Sequence, residues 1–118
     1  MQTKADVIVI GAGIVGNATA YYLTKKGKSV TVLEASDYIG NGGSSRNGGG
    51  VRQSGRNPKE LPLMVWGVKN IWPTLSQELG VDTEYCQGGN LRLGKNPEHI
   101  KILQKLADVA VACGVDVK

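Results

Sequence analysis

The sequence is short of the residues that metal sites require. It has two cysteines, Cys86 and Cys113, 27 positions apart with no C-x-x-C pair, and a single histidine, His99. A metal centre needs several such ligands at close spacing. No metal site is therefore expected, and the cysteines read as buried or half-buried thiols in a reducing compartment. No run approaches the ~20 apolar residues of a membrane span. Charge of one sign is also scarce: 14 basic and 10 acidic residues leave a net +4, too diffuse to imply a nucleic-acid partner. The 118 residues suffice for one small core. Gly114–Lys118 looks like the start of another strand, so the chain is read as the N-terminal piece of a longer polypeptide, truncated at 118.

What the chain does have begins at Asp6. Val7–Ile10 is a β-branched run of the kind buried strands use. It leads into Gly11-Ala12-Gly13-Ile14-Val15-Gly16, a G-x-G-x-x-G turn. A helix follows, with Ala18, Ala20, Tyr21 and Leu23 on its inner face, and stops near Lys25-Lys26-Gly27. Ser29–Leu33 is a second strand, and Glu34 closes it eighteen residues after Gly16. Strand, glycine turn, helix, strand and terminal acid make up a dinucleotide-binding fingerprint. Glycines let the backbone approach a pyrophosphate, and the helix turns unpaired N–H groups and its positive dipole end toward that charge. The carboxylate of Glu34 suits a ribose hydroxyl, and Ala35 and Ser36 offer no cation for a 2′-phosphate. Lys4, the apolar stretch Val7–Val15 and Ala18-Thr19-Ala20 mimic an export signal. The three glycines and Asn17 fit the turn and helix better, so a cytoplasmic location is expected.

Residues 40–57 hold seven glycines, with Arg46, Arg52 and Arg56 and no acid. Such composition suits a linker or an RGG-type segment. Its position after the second strand instead suggests a loop that wraps a cofactor with backbone N–H groups. Beyond it, Leu61, Met64, Val65, Val68, Ile71, Trp72, Leu75 and Leu79 form a helical stripe over Glu60–Leu79. Pro73 is expected to kink or break it, and Gly80 to end it. Thr83–Gln87 and Asn90–Gly94 around Gly88-Gly89 predict a β-hairpin. Asn96-Pro97 starts a last helix whose buried stripe is Ile100, Leu103, Leu106, Ala107, Ala110 and Val111. His99 reads as a solvated surface residue. The expected organisation is a βαβ unit with its loop over 1–57, then a second module of helix, hairpin and helix over 58–118.

The fingerprint, Glu34 and the stretch Gly43-Ser44-Ser45-Arg46-Asn47-Gly48-Gly49-Gly50-Val51-Arg52-Gln53 resemble the N-terminal part of the D-amino-acid oxidase superfamily of FAD-dependent oxidoreductases. Gly50–Gln53 is most similar to the β-subunits of sarcosine oxidase and dye-linked L-proline dehydrogenase. Ile71-Trp72, Leu75, Leu79-Gly80 and Gly88–Leu93 resemble that group's helix and first substrate-domain hairpin.

The resemblance implies an α/β fold: the N-terminal βαβ of a Rossmann-like FAD-binding domain, then the start of an α+β substrate domain. The implied cofactor is FAD, held by Gly11, Gly13, Ile14, Val15, Gly16, Glu34, Ala35, Ser44, Ser45 and Arg46. Arg52 is implied to pair with a substrate carboxylate at the flavin face, a task suited to a guanidinium fork. Monomeric sarcosine oxidases carry a further arginine where this chain has Gly49. The implied activity is oxidation of a secondary amine or amino acid, such as sarcosine, glycine or proline, by hydride transfer to flavin. Other subunits of a hetero-oligomer are allowed by the same resemblance. Three alternatives stay open: an FAD-dependent 2-hydroxy-acid oxidoreductase, which uses similar Ser-Ser-Arg-Asn-Gly loops; an NAD enzyme; and a non-catalytic nucleotide-binding module, should the chain be complete at Lys118.

Overall fold

The computed structural model describes residues 4–118; the first three residues of the expected 1–57 module lie outside the described residues. Two compact units are present, one ending at Gly50 and one running from Val51 to Lys118.

In the first unit, the β-branched runs become β1 (Val7–Ile10) and β2 (Val30–Leu33), with α1 (Ile14–Lys25) between them. The strands pair in parallel, Val7 opposite Val30 through to Ile10 opposite Leu33. Their start is pinned by polar groups just outside the ladder. Asp6 Oδ2 accepts from the Ser29 N–H at 2.9 Å and its hydroxyl at 3.0 Å, while the Asp6 N–H donates to Ser29 Oγ at 2.9 Å. These bonds hold the Asp6 carboxyl below its usual range, the Ser29 N–H contributing most.

The parallel crossover requires the intervening helix, and α1 packs against both strands. It covers one face of the sheet. Val7 and Val9 are half-buried, whereas Ile8 and Ile10 are 62% and 87% exposed. The run read as a buried strand is thus buried on one side, because parallel strands are enclosed only where helices lie on both faces. Ala18, Ala20, Tyr21 and Leu23 of α1 are half-buried, as the periodicity anticipates.

In the second unit, the stripe over Glu60–Leu79 forms two helices, α2 (Leu61–Asn70) and α3 (Trp72–Leu79), broken at Ile71. Pro73 sits in the first turn of α3; with no N–H it cannot continue the ladder of α2. Leu61, Val65 and Val68 are buried on α2, and Gly80 ends α3 at φ +67°, a left-handed cap that glycine takes without strain. The chain then folds back on α3. The hydroxyls of Ser76 and Thr83 lie 2.7 Å apart, the Thr83 N–H donates to Ser76 Oγ at 3.1 Å, and Tyr85 stacks on Trp72 with ring centroids at 5.2 Å.

The expected hairpin does not form: β1 and β2 are the only strands among the described residues. Two features explain this. Thr83 and Tyr85 are spent on α3, and Glu84 adopts φ +56°, which no extended strand tolerates. Leu91 and Leu93, placed on the second arm, are 84% and 79% exposed.

The last helix, α4 (Pro97–Ala112), is capped as its sequence dictates, Asn96 Oδ1 accepting from the His99 N–H at 2.8 Å. Leu103, Leu106, Ala107 and Ala110 are half-buried. Ile100 and Val111, expected on the same stripe, are 55% and 58% exposed, so the covered stripe is narrower than the periodicity suggests. Lys69 Nζ reaches the Gly114 carbonyl at 3.3 Å, tying α2 to the end of α4. Replacing Asn96 with alanine is expected to destabilise the second unit by about 1 kcal/mol, read as a lower midpoint in urea at unchanged slope.

Both cysteines are free thiols. Cys113 is half-buried, but Cys86 is exposed, against the expectation that both are covered; its segment pairs with no sheet that would shield it. Among the described residues, no helix is long and apolar enough to cross a membrane, and no group of His, Cys, Asp or Glu could hold a metal.

Candidate dinucleotide site

The glycine turn lies at the carboxyl end of β1, where parallel sheets present their ligands. The Gly11 N–H extends the ladder by donating to the Leu33 carbonyl at 2.7 Å. Gly16 then brings the first turn of α1 against the strand end. A Cβ built on Gly16 would stand 1.9 Å from the Gly11 carbonyl oxygen and 3.4 Å from Val9 Cγ1. No other residue permits that approach. Between them, Ala12 is 2% exposed. Its carbonyl accepts from Asn17 Nδ2 and from the Gly40 N–H, both at 2.9 Å, which fastens the turn to α1 on one side and to the following loop on the other.

Gly13 caps α1 in extended geometry and offers no side-chain acceptor of its own. That role falls to Ser44, whose Oγ accepts from the Ile14 N–H at 2.8 Å. Ser44 lies in a single 3₁₀ turn, Gly43–Ser45, stabilised by Asn47 Nδ2 donating to the Ser44 carbonyl at 2.7 Å. A Cβ on Gly13 would come within 3.1 Å of Ser44 Oγ. Glycine here thus lets the loop approach the helix start without displacing the Ser44 hydroxyl. The first backbone N–H groups of a helix have no intrahelical acceptors and carry its positive dipole end, so this end of α1 is a ready anion site.

Glu34 lies beyond β2 and reaches back over the turn. Its Oε2 accepts from the Ala12 N–H at 2.7 Å, and its Oε1 accepts from the Ser36 hydroxyl at 2.7 Å and the Ser36 N–H at 3.0 Å. These donors hold its carboxyl down to about 2, the Ser36 hydroxyl contributing most, then the Ala12 N–H and the Ser36 N–H. The group is an ionised, oriented acceptor at any physiological pH.

Of the residues singled out in the sequence, Gly11, Gly13, Ile14, Gly16, Glu34 and Ser44 are joined by these bonds and close approaches. Val15, at the start of α1, is 78% exposed. Ala35, Ser45 and Arg46 are exposed; Ser45 Oγ donates to the Gly42 carbonyl at 3.3 Å, and the Arg46 N–H closes the 3₁₀ turn on the Gly43 carbonyl. Arg52 belongs to the second unit and is exposed. Sequence reasoning missed Ser36 and Asn17 as parts of the site. Ser36 carried a partial signal, since serines in turns after a strand commonly bond to neighbouring groups.

Residues 6–118 match the family described as "DAO: FAD dependent oxidoreductase". The chain is 28% identical to mitochondrial sarcosine dehydrogenase of Homo sapiens over 98% of its own length and 13% of that protein's. It is 38% identical to sarcosine oxidase subunit beta of Rhizobium meliloti (strain 1021), over 75% of this chain and 21% of that one. Among solved structures, L-proline dehydrogenase from P. horikoshii superposes with a TM-score of 0.83 at 32% identity, covering 97% of this chain and 29% of that chain. The chain thus spans less than a third of the length of each of these relatives. The family's cofactor is FAD. With a glycine turn, a helix start and an oriented carboxylate at the end of a parallel strand pair, and with nearly the whole sequence matched, the chain belongs to the DAO family of FAD-dependent oxidoreductases.

Proposed function

We propose that this chain holds the adenosine end of FAD in an enzyme that oxidises a secondary amine or amino acid such as sarcosine, glycine or proline. The observation that carries the reading is the Glu34 carboxylate, fixed over the glycine turn by the Ala12 N–H at 2.7 Å. The residues fit the cofactor. The turn leaves no space for a Cβ at Gly16, where α1 packs on the strand end, and little at Gly13, where the loop meets the helix start. This is the close packing that the dinucleotide motif requires, and Glu34 is an ionised acceptor fixed beside that turn.

In this reading the start of α1 and Gly11–Gly16 receive the pyrophosphate, Glu34 and Ala35 the ribose, and Ser44, Ser45 and Arg46 flank the chain toward the flavin. Ser44 Oγ accepts from Ile14, which leaves its own proton free to donate to a phosphate oxygen. When bound, FAD would supply the electron chemistry, namely acceptance of a hydride equivalent from the carbon beside the nitrogen. Arg52 pairs with the substrate carboxylate and so orients that carbon; the resulting imine is released and hydrolyses in water. The names of the Homo sapiens, Rhizobium and P. horikoshii relatives support a sarcosine or proline substrate. The β-subunit relative supports a hetero-oligomer. A cytoplasmic location stays part of the proposal, although the sarcosine dehydrogenase relative is mitochondrial.

Flavin reduction by the purified holoenzyme, followed anaerobically with sarcosine, glycine, L-proline and 2-hydroxyglutarate, tests the substrate class. Bleaching by an amine and not by the hydroxy acid is expected. Bleaching by 2-hydroxyglutarate alone would transfer the chain to the hydroxy-acid oxidoreductases.

A further inference from the structure

Arg52 precedes a tight turn at Ser54-Gly55, and that turn is held from far along the chain. Arg92, 38 residues later, donates from Nε to the Ser54 hydroxyl and from Nη2 to the Ser54 carbonyl at 3.3 Å. Gly55 makes this possible. A Cβ there would fall 2.4 Å from Arg92 Nη2, 3.0 Å from Cζ and 3.3 Å from Nη1, and its backbone sits at φ +67°. The guanidinium therefore lies on bare backbone. From inside the turn, Arg56 Nε donates to the Arg52 carbonyl at 3.2 Å. Gln53, Ser54 and Arg56 are half-buried, while Val51, Arg52 and residues 57–60 are exposed.

An exposed glycine-rich loop gains little order from its own sequence. A planar fork that engages a side chain and a carbonyl of one residue fixes both position and orientation, which a lysine cannot do. We propose that Arg92 is a positioning residue: by clamping Ser54-Gly55 it sets the direction from which Arg52 meets the substrate carboxylate. The proposal rests on the reading of Arg52 given above.

The test is steady-state kinetics of the holoenzyme with L-proline and with pyrrolidine, which lacks the carboxylate, for Arg52→Met, Arg92→Met and the double variant. Flavin content is recorded for each. Arg52→Met should raise KM for L-proline and leave pyrrolidine unaffected. Arg92→Met should raise KM for L-proline about tenfold with little change in kcat, leave pyrrolidine unaffected, and add nothing to Arg52→Met. Ser54→Ala, which removes one partner of the clamp and is easily accommodated, should shift KM in the same direction by less, and it decides the matter if Arg92→Met fails to fold. An Arg92→Met enzyme that handles L-proline as the wild type does, or that loses both substrates equally, overturns the positioning role while the reading of Arg52 stands. An unchanged preference in Arg52→Met removes that reading, and the proposal with it.

Discussion

Alanine at position 16 is expected to empty the nucleotide site. The added methyl would meet the Gly11 carbonyl oxygen at 1.9 Å and its carbon at 3.1 Å, and both are backbone atoms that cannot rotate aside. Relief requires α1 to move off the end of β1, which separates the helix start from the strand whose end it shares. Overpacking of this kind costs about 1–3 kcal/mol and sometimes more, a large share of the roughly 5–15 kcal/mol that stabilises a domain. The purified Gly16→Ala protein should lack flavin absorbance and unfold at lower temperature than the wild type. Gly13→Ala gives the contrast. Its methyl would meet only the Ser44 hydroxyl, at 3.1 Å, and a side chain can turn away. That variant should retain FAD with reduced affinity.

Glu34→Gln should weaken FAD binding by about tenfold, since hydrogen bonds to an ionised acceptor exceed those to a neutral one. An amide has one oxygen for the three donors that converge on this carboxylate, and its NH₂ must face one of them. The difference between variant and wild type carries a pH signature. Because the Glu34 carboxyl is lowered to about 2 in the folded apoprotein, it is fully ionised across the neutral range, and its contribution to FAD binding is lost only as pH falls through about 2. Equilibrium titrations of the apoprotein with FAD should show a constant gap between the two proteins from pH 5 to pH 9. A gap that opened or closed within that range would place the carboxyl's titration elsewhere.

Much of the dinucleotide unit is legible from sequence because its rules are local. β1, α1 and β2 follow from β-branched runs, a glycine turn and cations before Gly27, and fall within a residue of their expected limits. The break at Pro73 and the Asn96 cap are likewise local chemistry. The hairpin fails for the opposite reason. Its fate is set by Trp72 and Ser76 on α3, partners invisible to strand periodicity. The same holds in the site: Ala12 and Glu34 meet across 22 residues, and the motif placed the acid at the end of β2 without naming the N–H it accepts from. The Ser44–Ile14 bond spans 30, and position in the loop suggested that approach without specifying the atoms.

The central claim is that Gly11–Gly16 and Glu34 bind FAD, and the nucleotide carried by the protein at its native length tests it most directly. Denaturation and proteolysis of the purified protein, followed by mass spectrometry, would identify that nucleotide and its amount. The account predicts FAD at about one per chain, depleted in Gly16→Ala and in Glu34→Gln. Recovery of NAD, or FAD at full stoichiometry in both variants, would contradict it.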